Sequence, residues 1–338
     1  MNPITRSRIF MTLNIVGIVL IVGTLVVLTY ASAEIIGCSA AARNSNLACN
    51  FAAKDDLFTA RAICMDSPDD DLGTCLNEAR AEYEDVLDEC IDILDAQVEV
   101  CDLTDDAAHT PDFGPDFAGN FVDPLQIGLS VAANPYFPLV QGNRWVYEGS
   151  FEEDGEVMTE TITVTVLNET KLVDGITCVV VRDVVEVDAE LVEDTDDWFA
   201  QDVDGNVWYC GEEVKDYETF EGDEPSLPEL VSDDGSFKAG RDGDRGGILM
   251  PQVAEVGTVF RQELSVGNAE DVVEILATDG NESAVAAACS DNCLVTRDFS
   301  PLDPESEENK YYAPGIGLIV EIDLTTGDRV ELIDFVTM

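Results

Sequence analysis

The chain has 338 residues, 46% of them hydrophobic, with 17 Lys and Arg against 70 Asp and Glu and a formal net charge of −53. A charge of that sign and size repels polyanions and excludes nucleic acid as a partner. The hydrophobic content and the Val, Ile and Leu runs of the C-terminal half exclude an acidic disordered chain; an acidic secreted surface and a high-salt habitat, where counterions screen self-repulsion, explain the charge equally well.

Residues 1–36 read as a signal or transmembrane segment. Arg6 and Arg8 precede Ile9–Tyr30, 22 residues without a charge. That is long enough to span a bilayer as a helix, with the arginines on the cytoplasmic side and the rest of the chain outside. The expected partner of this segment is the membrane. Cleavage after Ala31-Ser32-Ala33 and lipidation at Cys38 compete with retention as an anchor. The run exceeds the roughly 7–15 residues of a signal-peptide apolar region, which favours the anchor.

Residues 37–102 predict a cysteine-laddered helical hairpin. Cys38, Cys49, Cys64, Cys75, Cys90 and Cys101 are spaced 11, 15, 11, 15 and 11. Those steps are close to three and four helical turns, so each half carries one stripe of cysteines. The spacing is a palindrome, and antiparallel neighbours have residue numbers of constant sum. The pairs Cys38–Cys101, Cys49–Cys90 and Cys64–Cys75 each add to 139, which selects one of 15 connectivities. Pro68 and the surrounding acids supply the turn. Alanines along the first helix allow close approach, and Leu76, Val86, Leu87, Ile91, Leu94 and Val98 give the second an apolar face. Zinc ligands lie two to four residues apart, so these spacings do not suit a metal. Disulfides require an oxidising compartment, which agrees with export.

Residues 103–133, with the single histidine His109, read as a Pro-, Gly- and Asp-rich linker. Residues 134–338 read as a β domain interrupted by an acidic insertion at about 213–247. Period-two runs such as Met158–Leu167 and Ile176–Val187, separated by Asp-Gly turns, predict antiparallel sheet, as a sandwich or a half-barrel. The fold class is therefore α+β and multidomain. Four cysteines remain here, and Cys178–Cys210 and Cys289–Cys293 are the preferred pairing of three.

Five stretches carry a resemblance: Asn134-Pro-Tyr-Phe-Pro-Leu-Val-Gln-Gly-Asn-Arg-Trp-Val-Tyr-Glu-Gly, Glu193-Asp-Thr-Asp-Asp-Trp-Phe-Ala-Gln-Asp-Val-Asp-Gly-Asn-Val-Trp-Tyr, Gly247-Ile-Leu-Met-Pro, Arg261-Gln-Glu and Tyr311-Tyr-Ala-Pro-Gly-Ile-Gly. Residues 134–338 resemble an uncharacterised family of exported bacterial proteins without an established activity. The resemblance implies architecture and export, not chemistry. The Pro-Leu, Gly-Asn and Trp-Val-Tyr opening is also similar to lipid-carrier-like β half-barrels.

Candidate chemistry is sparse. A hydrolytic triad lacks its base, since His109 lies in the linker. Carboxylate pairs could serve glycoside hydrolysis, but 70 acids make such pairs unspecific. Asp202, Asp204 and Asn206 offer oxygens at the first positions of a calcium loop. The glycine stands fourth rather than sixth, and the same residues suit a plain Asp-Gly turn. Calcium is the one cofactor considered; no other is expected. Trp145, Trp198 and Trp208 could line a ligand groove, with burial in the core as the plain alternative. The chain thus reads as an exported surface protein that is structural or binds an extracellular protein, glycan or lipid. The alternatives are a self-assembling, pilin-like filament subunit, a carboxylate-dependent hydrolase and a lipid or small-ligand carrier.

Overall fold

The computed structural model describes residues 37–67, 71–153, 155–220 and 222–338. The expected membrane segment at 1–36 lies outside them. Among the described residues no helix is long and apolar enough to cross a membrane.

Two antiparallel helices, α1 (Cys38–Asp66) and α2 (Leu72–Leu103), form the hairpin. Asp71 starts α2 by accepting from Gly73 N at 3.0 Å, an amide that a helix end leaves free, and from the Thr74 hydroxyl at 3.1 Å. Asp106, just past α2, caps α1: its carbonyl accepts from Cys38 N and its carboxylate from Ser39 N at 2.7 Å. The hydrogen bonds from Ser39 hold the Asp106 carboxyl below its usual range.

The three rungs have Cα separations of 5.3 Å for Cys38–Cys101, 5.9 Å for Cys49–Cys90 and 5.8 Å for Cys64–Cys75. The buried residues of the hairpin are Cys38, Ala42, Ala53 and Cys64 on α1 and Ala79, Cys90, Gln97, Val100 and Cys101 on α2. Ile91, expected on an apolar face, is exposed, and Leu76, Val86, Leu87, Leu94 and Val98 are only half-buried. Large side chains would hold the helices too far apart for the sulfurs to meet. Covalent rungs and small residues therefore replace a core.

The β domain is one strongly curved antiparallel sheet. In chain order its strands are β1 (Arg144–Glu153), β2 (Glu156–Val173), β3 (Ile176–Val187), β4 (Glu190–Gln201), β5 (Val207–Glu213), β6 (Asp216–Glu218), β7 (Glu229–Ser232), β8 (Phe237–Lys238), β9 (Arg245–Met250), β10 (Val259–Arg261), β11 (Glu263–Leu264), β12 (Val272–Ser283), β13 (Ala288–Ser300), β14 (Asp303–Ala313), β15 (Gly317–Asp323) and β16 (Arg329–Val336). Hydrogen bonding follows the order β10-β12-β13-β14-β15-β16-β1-β2-β3-β4-β5-β9-β11. The first and last members of that path, β10 and β11, are the same stretch of chain, separated only by Gln262. Its first half pairs with β12 and its second half with β9. The sheet thereby curls into a nearly closed barrel with a seam at Gln262, which is a fuller closure than the expected half-barrel and is not a sandwich.

The segments read as an insertion and as a linker both pack on the sheet. The insertion at 213–247 does not leave the sheet: β6 and β8 pair with β4 and β5, β9 begins within it, and Phe237 is 3% exposed. The linker at 103–133 does not hang free. Phe113 and Phe121 pack on Trp208 with ring centroids 6.0 and 5.8 Å away, and Val122 N donates to Gln201 O at 3.0 Å. This strap covers the outer face of β3–β5, where Cys178, Val180, Trp198, Ala200 and Cys210 form a second apolar cluster. Neither segment has a regular period, because its partners are far away in the chain.

Candidate functional site

A cavity of about 310 Å³ opens inside the barrel. Strand alternation sends every second side chain inward. Trp145 and Tyr147 of β1, Phe199 of β4 and Tyr209 of β5 therefore share the interior. Trp145 Nε1 donates to Ile316 O at 2.8 Å, and the Tyr147 hydroxyl donates to Leu318 O at 3.2 Å. Their polar ends are satisfied, leaving apolar ring faces to the cavity.

The same lining is also acidic. Asp183 of β3, Asp197 of β4, Asp271, Asp298 of β13 and Glu321 of β15 line the same space, with Lys310 of β14 as the cation. Lys310 Nζ stands 3.7 Å from Asp298, 3.1 Å from Glu308 and 3.3 Å from Glu321. Burial disfavours its charge, but these carboxylates outweigh that and hold its pKa well above the usual value. Lys310 is thus committed to its neighbours.

Asp183 and Asp197 have no such cationic partner among the described residues. Burial, then repulsion from Asp197, Glu193 and Glu321, pushes Asp183 well above the usual carboxylate range. Its Oδ1 is sealed from solvent without a hydrogen bond among the described residues. Asp197 is raised to about 7, mainly by burial, although the Tyr209 hydroxyl donates to its Oδ1 at 2.6 Å. Glu212, opposite Asp197 across the β4–β5 ladder, is raised to about 9 by burial and by Asp197. Buried acids held near neutrality or above are unfavourable as anions, and a cation beside them removes that cost.

Of the tryptophans taken for a groove, only Trp145 faces the cavity. Trp198 and Trp208 point outward. Trp198 is covered by Lys171 and Lys238, whose Nζ atoms stand 4.5 and 5.4 Å from the ring centroid. Trp208 lies under the strap, its Nε1 donating to Asp202 Oδ2 at 2.9 Å. That bond bears on the calcium reading as well. Asp202 Oδ1 accepts from Asp204 N and Asn206 N, and Oδ2 also accepts from Asn206 Nδ2. Both oxygens face N–H donors, the arrangement of an Asx turn. Cys178–Cys210 joins β3 to β5 under the strap, and Cys289–Cys293 closes a short bulge of β13.

The acidic wall escaped the sequence reading, yet it left a signal. Asp183 has the parity of Val179 and Val181, Asp197 that of Phe199, Lys310 that of Tyr312, and Asp298 that of Leu294. A charge at the core parity of an apolar strand marks a polar group turned inward. Comparison with protein-family models, with curated proteins and with solved structures finds no match to this chain.

Proposed function

We propose that the chain is an exported binding protein whose half-barrel holds a small amphipathic ligand bearing a cationic group. The observation that carries this reading is the unpartnered Asp183 Oδ1 among carboxyls that line one cavity together with Trp145 and Phe199. The apolar faces suit a hydrocarbon body, and a buried ammonium would supply the charge that the carboxyls lack. Five disulfides fit an oxidising, extracytoplasmic setting. The uncharged run at 9–30 supports attachment at a membrane.

The test uses Trp fluorescence and calorimetry with hexylamine, hexanol and hexanoate. Hexylamine binds, hexanoate does not, and Asp183→Asn weakens hexylamine by about tenfold, the worth of one charged hydrogen bond. Binding tightens as pH rises through about 7, because the carboxyls release protons to receive the amine. Equal affinity for the three probes would refute the reading. A second reading, a carboxylate-dependent hydrolase, is favoured by Asp197 standing near 7, in the range of a general acid or base. Turnover of a glycan or ester that Asp197→Asn abolishes would select it.

A further inference from the structure

A second cavity, of about 220 Å³, lies where the hairpin docks on the barrel seam. Its floor is Gln97 of α2 with Arg261 and Glu270 of the barrel, which are 2%, 8% and 3% exposed. Glu270 fixes the other two. Gln97 Nε2 donates to Glu270 Oε1 at 3.0 Å, which turns Gln97 Oε1 away. Arg261 Nη1 stands 3.6 Å from Glu270 Oε2, while its Nη2 donates to Cys38 Sγ at 3.2 Å. Two buried polar atoms are left without a hydrogen bond among the described residues: the acceptor Gln97 Oε1 and the donor Arg261 Nη1. Buried polar atoms of this kind are rare in folded proteins and mark a missing partner.

The rim adds a second cation. Arg245 is exposed and donates to the His109 carbonyl. The His109 ring bonds Gly246 O at 2.9 Å, so its Nε2 carries the proton. Burial holds the ring neutral, with a pKa near 4. A chain with 17 basic residues in 338 thus brings two arginines to one small pocket, beside a buried carboxylate.

We propose that this pocket binds a small α-amino carboxylate, its carboxylate on Arg261 and Arg245 and its ammonium on Gln97 Oε1 beside Glu270. The floor presents one donor cation and one acceptor flanked by an anion, which a zwitterion matches at both ends. Ala41, Ala42, Leu264 and Val266 leave an apolar wall for a short side chain. This site is separate from the barrel cavity, and neither reading depends on the other.

Calorimetry of the oxidised full chain with alanine, serine, lactate, propionate and propylamine tests it. Alanine or serine binds, while propionate and propylamine, each lacking one end, bind at least about tenfold more weakly. Arg245→Gln, at the exposed rim, weakens alanine by about tenfold without lowering the melting temperature, and Gln97→Leu, which also takes a donor from Glu270, weakens it by about tenfold in a chain that melts cooperatively at a lower temperature. Binding of lactate but not of alanine would overturn the ammonium contact. No heat with either amino acid, or unchanged affinity in both variants, would overturn the site and leave ordered water as the partner of these atoms.

Discussion

Gly247 has no room for a methyl group. A Cβ there would sit 2.5 Å from Gln262 O and 2.6 Å from Arg261 O. Both are backbone atoms of the seam and cannot swing aside. Gly247→Ala should therefore destabilise by about 3 kcal/mol, as overpacked sites do, read as a lower urea midpoint. Gly243, which has open space around its Cβ position, differs in kind: its φ of +104° strains any side chain through the backbone alone. At this scale the sequence was only partly legible. Trp145 and Trp208 have the same β-strand composition around them, and which face each occupies depends on the strap and the curl of the sheet. The inward acids were legible by parity, but 70 acids hid them.

Among the elements, the hairpin was the most legible, because the palindrome encodes both helices, their direction and their register. The strap and the short strands β6–β8 were the least, because they are held by distant partners such as Trp208 and Gly211. The rungs should not contribute equally. Removing Cys49–Cys90 by serine substitution leaves a rung on either side that already shortens the chain it closes, so the loss should be about 2 kcal/mol, the low end for a disulfide. Removing Cys38–Cys101 also loosens the Asp106 cap and the contact of Arg261 with Cys38. The loss there should be larger, about 4 kcal/mol. Denaturant melts followed by helical ellipticity check the order, and equal midpoints for the two variants would contradict it.

For the whole molecule, protons decide stability in the neutral range. Asp197 at about 7 and Glu212 at about 9 hold protons in the folded state that the unfolded chain has already released. Their contribution is therefore present at low pH and is lost as pH rises through those values. His109, held down near 4, acts in the opposite sense, but only below its ordinary 6.5. The melting temperature should accordingly rise on acidification from about pH 9 to about pH 6.5, and added salt should raise it further by screening the excess of acids. A melting temperature that is flat or falls over that interval would contradict the buried-acid account.

The seam at Gln262 bears on how such molecules meet one another. Because one stretch of chain serves both ends of the hydrogen-bonded path, the margins left among the described strands are those of β7, which pairs only with β6, and of β12 beyond its three-residue pairing with β10. A fibre built by adding a strand from the next subunit would have to start at one of those margins, because the seam itself opens only when β11 is pried from β9.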